Sequence, residues 1–288
     1  MKPAPFKYVA AESSDHAVGL LGDLGDQAKV LAGGQSLLAF MNFRMATPDV
    51  LIDIGRCGLA GISANGQLRI GATTTQSAAL QSPAVRESAP LLARALGDVG
   101  HYALRNRGTI GGSVAHADPA AEIPAVLVAL GGSVEVRGPT GDRTIAADDL
   151  FVSHYTTALA QDELLTVVRL PSRPPDAWAF YEIARRRGDF ALAGVSAAFG
   201  LSGAGEIVDA RVVLFGVDRR PVRATQAEGA LLGRRLDDAA AVREAGQAAA
   251  AAVEPPGDLH GSTKYRKRLT DVAVRRALSS ATIERSAG

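Results

Sequence analysis

Two glycine-paired segments, Ala32-Gly33-Gly34-Gln35-Ser36 and Thr109-Ile110-Gly111-Gly112-Ser113, carry the residues best suited to holding an anion. Adjacent glycines let the backbone take φ > 0 and leave no Cβ in the way, so several N–H groups can converge on one negative group. Each segment ends in a serine whose hydroxyl can add a bond or cap the next element. Brought together by the fold, two such segments could grip the two phosphates of a dinucleotide. Neither has the G-x-G-x-x-G spacing of a Rossmann turn or the G-x-x-x-x-G-K-[ST] of a P-loop, so the site needs another architecture. A lone Gly-Gly is weak evidence, and only the combination is informative.

Other chemistries are poorly supplied. The one cysteine, Cys57, excludes an internal disulfide framework and any iron–sulfur cluster or zinc site ligated by cysteines of this chain alone. The five histidines (His16, His101, His116, His154 and His260) form no HExxH and no tight pair, so no metal site is expected; His101 and His116 flank the second glycine segment, where a structural or loop role is favoured over acid–base catalysis, and no catalytic residue is expected. Lysine plus arginine total 31 against 30 acids, which leaves no field to favour nucleic acid or an anionic membrane. No apolar run approaches the ~20 residues of a membrane span. Residues 1–7 lack the hydrophobic stretch of a signal peptide, so the expected location is cytoplasmic. At 288 residues the chain has room for one large domain or two ordinary ones.

The elements that must position the glycine segments are read from periodicity. Residues 15–24 put Ala17, Leu20, Leu21 and Leu24 on one face at helical spacing. Residues 29–31 predict a strand running straight into Gly33-Gly34. Ser36 could cap a helix through Leu37, Leu38, Phe40 and Met41, which Pro48 ends at the latest. Residues 50–54 predict a buried strand. The first segment therefore falls between a strand and a helix, where unpaired N–H groups collect and the helix dipole favours negative charge. Asn65-Gly66 marks a hairpin over residues 62–70, and Pro83 and Gly97 bracket a helix over 83–97. Beyond the second segment come a helix near 120–130, a strand at 133–136, a turn at 138–142 and a strand at 163–170. Residues 171–175, Pro-Ser-Arg-Pro-Pro, read as a linker. Strand-like runs at 179–184, 191–201 and 207–217 then precede helical patterns at 223–232, 237–252 and 262–280, a three-stranded antiparallel sheet backed by helices.

Longer motifs add a family resemblance over essentially the whole chain. Ala32-Gly33-Gly34-Gln35-Ser36-Leu37-Leu38, followed by Arg44, Pro48 and Leu51-Ile52-Asp53-Ile54, resembles the first flavin loop of the FAD-binding medium subunit of molybdenum hydroxylases, the group of carbon monoxide dehydrogenase, xanthine dehydrogenase, quinoline 2-oxidoreductase and nicotine dehydrogenase. The stretch from Arg105-Asn106-Arg107-Gly108 through Thr109-Ile110-Gly111-Gly112-Ser113 to His116-Ala117-Asp118-Pro119-Ala120-Ala121-Glu122 is similar to the second loop. Arg185-Arg186-Arg187-Gly188-Asp189-Phe190 and His260-Gly261-Ser262-Thr263-Lys264-Tyr265-Arg266 resemble a third and a fourth signature.

The resemblance implies an α+β fold: a vanillyl-alcohol-oxidase (PCMH)-type FAD-binding domain over residues 1–175, in two α/β lobes of about 1–56 and 57–175, and a C-terminal domain over 176–288 with the three-stranded sheet and helices. It implies that residues 32–36 and 109–113 hold the FAD pyrophosphate through backbone N–H groups, with Leu37 beside them and with hydroxyls from Ser36, Thr109 and Ser113. Asp118 and Glu122 match positions of polar contacts to the ribityl chain or ring; Glu122 has the rival reading of an exposed acid in a helix's first turn. Leu165 would pack against the isoalloxazine or simply in the core. Phe190 sits where relatives often carry a tyrosine against the ring; it keeps the ring contact and loses the hydroxyl. The implied function is electron transfer. FAD would receive electrons from a small subunit with [2Fe–2S] clusters, beside a large molybdopterin subunit in a dimer of heterotrimers, and pass them to an external acceptor. Two alternatives stay open: a self-sufficient flavin oxidase or reductase of the same fold, and a nucleotide-binding scaffold without redox activity.

Overall fold

The computed structural model describes residues 2–284; the outermost residues of the two expected domains, 1 and 285–288, lie outside these. The first lobe runs β1 (Lys7–Ala10), α1 (Ser14–Leu24), β2 (Ala28–Leu31), α2 (Leu37–Asn42) and β3 (Val50–Asp53). β3 lies between β1 and β2 and is parallel to both. A strand flanked on both sides reads as a continuous apolar run, and Val50, Leu51 and Ile52 are all buried. Ala17, Val18 and Leu21, one face of α1, close over Ile52 and Ile54. Ser13 caps α1 by accepting from the His16 N–H at 3.1 Å.

The second lobe contains β4 (Ile62–Ser63), β5 (Gln67–Gly71), α3 (Gln76–Gln81), α4 (Pro83–Ser88), α5 (Pro90–Leu96), α6 (Tyr102–Arg105), α7 (Ile110–His116), α8 (Glu122–Ala129), β6 (Ser133–Gly138), β7 (Gly141–Ala146), α9 (Ala147–Leu150), β8 (Phe151–Ser153), β9 (Thr156–Thr157) and β10 (Leu164–Pro171). Its main sheet has the order β4-β5-β10-β6-β7, antiparallel throughout. The single helix expected over 83–97 is two. Pro90 excludes the helical region for the residue before it, and Ala89 sits at φ −139°, ψ 63°. The second glycine segment, expected as a loop, opens α7 instead. All eight residues of α8 are buried, as an apolar helix enclosed on every side requires.

The remaining chain forms β11 (Ala177–Ala184), β12 (Ala191–Leu201), β13 (Ile207–Phe215), β14 (Val222–Arg223), α10 (Thr225–Leu231), α11 (Ala239–Ala251), α12 (Thr263–Ser279) and β15 (Thr282–Ile283). The three expected strands are the centre of a five-stranded antiparallel sheet, ordered β14-β13-β12-β11-β15. The two added edge strands have two residues each, too few to leave a periodic signal. Both faces of this sheet are covered. Ala179, Val195, Val212 and Leu214 meet α10, α11 and α12, while Phe180, Ala191, Val213 and Phe215 join the core of the second lobe. The rings of Phe180 and Phe215 stack at 5.8 Å between centroids. A Cβ on Gly194 would overlap the Phe215 ring, so this strand position must be glycine for the ring to lie across it. Trp178 packs against the same shared core and donates to Glu284 Oε1 at 2.6 Å.

Candidate functional site

The two glycine segments meet in the fold and form one wall of a cavity of about 940 Å³ between the lobes. The contact is between backbones. A Cβ on Gly33 would collide with the Arg107 carbonyl oxygen and lie 2.9 Å from Gly108 Cα. One on Gly111 would lie 2.6 Å from Ala72 Cα, and one on Gly112 2.6 Å from Thr109 Oγ1 and 3.7 Å from Ala32 Cβ. Of these glycines only Gly34 has φ > 0, at 73°. Left-handed backbone therefore accounts for Gly34 alone; Gly33, Gly111 and Gly112 are there to permit close approach.

The amides divide unequally between the segments. Among the described residues, the N–H groups of residues 33–36 donate to no protein acceptor. In the second segment Ile110 N–H goes to Thr74 O at 2.9 Å, Gly111 N–H to Ala72 O at 3.0 Å, and Ser113 N–H to Thr109 O at 3.1 Å. Gly112 N–H goes to Thr109 Oγ1 at 3.0 Å. Four of the five amides of 109–113 therefore already have a protein acceptor, two of them on the turn before α3 and two on Thr109 itself. Thr109's hydroxyl is likewise the α7 cap. Ser36, expected to cap α2, makes no cap bond, and neither its hydroxyl nor that of Ser113 has a protein partner among the described residues.

Ala32, Gly33, Gly34, Gln35, Ser36, Leu37, Thr109, Gly111, Gly112, Ser113, Asp118, Glu122, Leu165 and Phe190 all line this cavity. Ile110 does not. It opens α7 pointing into the core, with no exposed surface, because opposite sides of a helix cannot both face the cavity. Asp118 is buried and accepts from the Ala120 N–H at 2.9 Å. Burial raises its carboxyl above the usual range against that bond. Glu122 is 8% exposed, and burial pushes its carboxyl up to about 7, so it is not the solvated first-turn acid of the rival reading. Phe190, 71% exposed, stands at the mouth rather than in the core.

Residues 4–173 match the FAD binding domain in molybdopterin dehydrogenase, and residues 178–281 match the CO dehydrogenase flavoprotein C-terminal domain. The chain belongs to the FAD-binding medium subunits of molybdenum hydroxylases. It is 40% identical to the 6-hydroxypseudooxynicotine dehydrogenase complex subunit alpha of Paenarthrobacter nicotinovorans, over 98% of this chain and 96% of that one. It is 38% identical to the carbon monoxide dehydrogenase medium chain of Hydrogenophaga pseudoflava, over 98% of each. A solved structure of carbon monoxide dehydrogenase from the same organism superposes with a TM-score of 0.93, at 40% identity, over 97% of this chain and 98% of the other.

As a flavoprotein of this family, the chain has further cavity residues, of which only His116 falls within one of its motifs. Phe40, His116 and Tyr155 form an aromatic wall, with ring centroids 5.1 Å apart for Phe40 and His116 and 5.0 Å for the two pairs with Tyr155. They come from α2, the end of α7 and the β8–β9 turn, so no local spacing connects them. Tyr155 is held at φ 52°, its N–H donating to the carbonyl of Ala117, which ends α7 at the same φ. Burial lowers the His116 pKa, against the opposing pull of Asp118. At the mouth, the turn after β11 meets the loop before α12. Arg185 lies 3.3 Å from His260 Nδ1, and Gly188 packs on Gly100 and His101. The third and fourth sequence signatures therefore border the cavity that the first two build.

Proposed function

We propose that FAD lies in this cavity with its pyrophosphate against residues 33–36, and that the chain is the electron-transfer subunit of a molybdenum hydroxylase. The observation that carries the reading is the run of four unpartnered amides facing a second glycine segment across one cavity. A diphosphate needs several donors that cost nothing to free, and these donors break no bond of the protein to reach it. The cavity lies at the large end of small-molecule pockets, as a dinucleotide requires.

In this reading the hydroxyls of Ser36 and Ser113 add bonds to the phosphates, and Gln35 braces the first loop, its side-chain amide donating a hydrogen bond to Gly33 O at 3.0 Å. Ala32, Leu37 and the Cα faces of Gly111 and Gly112 exclude water from the bridge. Thr109 acts by holding α7 in register. Asp118 and Glu122 orient the ribityl chain and ring, Leu165 packs beneath the ring, and Phe190 covers its outer edge. FAD supplies the ability to accept and release electrons singly or in pairs. Electrons would come from a small [2Fe–2S] subunit beside a large molybdopterin subunit, in a dimer of heterotrimers, and leave to an external acceptor. The architecture would be the PCMH-type pair of lobes, 1–56 and 57–175, closed by the domain 176–288.

Flavin content per folded chain tests the assignment. The purified chain should be yellow, with absorbance near ~450 nm that dithionite bleaches. Gly33→Val should abolish that colour, and a Gly33→Val chain retaining full flavin would refute the phosphate site. Co-purification with the products of neighbouring genes should bring iron and molybdenum; their absence would refute the assembly.

A further inference from the structure

Glu122, Glu182, Asp98 and Arg94 gather where α5, α8 and β11 pack together, and the roles above use only Glu122. Glu122 opens α8 and lines the cavity. Glu182 stands on β11 two residues beyond Phe180, hence on the sheet face turned to α5 and α8. Its Oε2 is buried and has no hydrogen-bond partner among the described residues. Glu122 and Asp98 repel its charge and Arg94 attracts it, while the residue opposite on β12 is Gly194, which offers nothing. Arg94 is already taken: it donates to Asp98 Oδ2 at 2.6 Å and lies over the Phe180 ring at 5.3 Å. Asp98 also faces Arg187 at 3.7 Å. Asp118 adds a further negative charge on the Glu122 side. The two glutamates are thus left without a cation of their own.

A buried carboxylate without a partner is costly, and two near one another are costlier, so the favoured state keeps a proton on the pair. Burial, the larger cause, holds the Glu182 carboxyl up at about 8 and the Glu122 carboxyl at about 7. Negative charge entering a low-dielectric cavity beside them must raise their hold on protons further.

We infer that Glu122 and Glu182 are a positioning pair for the cofactor cavity, binding a proton from solvent when an electron pair enters and releasing it when the electrons leave. The inference rests on the flavin assignment above. One O–H bond forms on a glutamate oxygen as the electron pair arrives from the reductant, and the same bond breaks as the electrons pass to the acceptor. The effect is to offset the arriving charge and hold the electrons at higher potential than a fixed dianionic pair would.

The test is anaerobic reduction of the full-length, flavin-loaded chain with dithionite, reading proton uptake per electron pair across about pH 6 to 9. Wild type should take up as much as about one proton more than Glu182→Gln between about pH 7 and 9. Glu122→Gln, which removes the repulsion, should move that excess to lower pH. In the flavin-free chain, the infrared C=O band of a protonated carboxyl should fade as pH rises through about 8 in wild type and lose that component in Glu182→Gln. Equal proton uptake by flavin-loaded wild type and Glu182→Gln overturns the inference alone. A wild-type chain that binds no flavin overturns it together with the cavity assignment.

Discussion

Hydroxyls at the two glycine segments are chemically alike and structurally opposite. Thr109 Oγ1 caps α7, whereas Ser36 and Ser113 have hydroxyls with no protein partner among the described residues. Thr109→Ala should therefore lower stability by about 1 kcal/mol, read by urea unfolding of the flavin-free chain. Ser36→Ala should leave that stability unchanged and weaken FAD binding roughly ten- to a hundredfold, since a bond to a charged oxygen contributes ~1.5–3 kcal/mol. A Ser36→Ala chain that binds FAD as wild type does would remove the serine from the phosphate site. Phe190 and Glu122 show the same division from the packing side. An apolar ring with 71% exposure has no fold-stabilising role, whereas a buried acid with no cation needs a functional reason. Phe190→Ala should accordingly leave the melting temperature within experimental scatter and change the rate of flavin reoxidation.

At the level of elements, the differences between expectation and structure share one cause, tertiary contact overriding local preference. Gly111 and Gly112 are poor helix residues, yet they lie in the first turn of α7 because a bare Cα at 111 lets that helix reach Ala72 and one at 112 leaves room for the Thr109 hydroxyl. Pro90 works the other way: it is a local rule, legible in the sequence, that splits α4 from α5. β12 is buried on both faces from Ala191 to Phe199, so its apolar run carries no alternation to mark which side meets which partner. Gly194→Ala tests that enclosure. With the Phe215 ring occupying the space of the added methyl, it should cost about 1–3 kcal/mol in unfolding free energy. No loss of stability would show that the ring can swing aside.

The whole molecule couples these elements through a core that both expected domains share. Phe180, Ala191, Val213 and Phe215 of the C-terminal sheet join the hydrophobic cluster of the second lobe. The same junction holds Glu122 and Glu182, raised to about 7 and about 8 from an ordinary 4.5. Across that interval the folded chain binds more protons than the unfolded one, so the stability these groups contribute is full below pH ~4.5 and is lost as pH rises through 7 and 8. Melting of the flavin-free chain should fall between about pH 5.5 and 8.5, and Glu182→Gln should shrink that fall. An unchanged fall would locate the pH dependence elsewhere.

How much was legible depends on the range of the interactions. Residue types, chain order and one-dimensional spacing suffice to mark the glycine segments, the strand and helix beside the first, the proline linker and three of the five C-terminal strands. The four motifs also suffice to assign the family. Those features depend on neighbours a few residues away. Only the folded chain decides which amides are free, because Ile110 and Gly111 spend theirs on Thr74 and Ala72, far back in the sequence. It alone assembles Phe40, His116 and Tyr155 into one wall, and it alone sets Glu182 beside Glu122 with the nearby Arg94 already paired to Asp98. Burial and partnership depend on which distant surfaces close over a residue, and no local spacing records that closure.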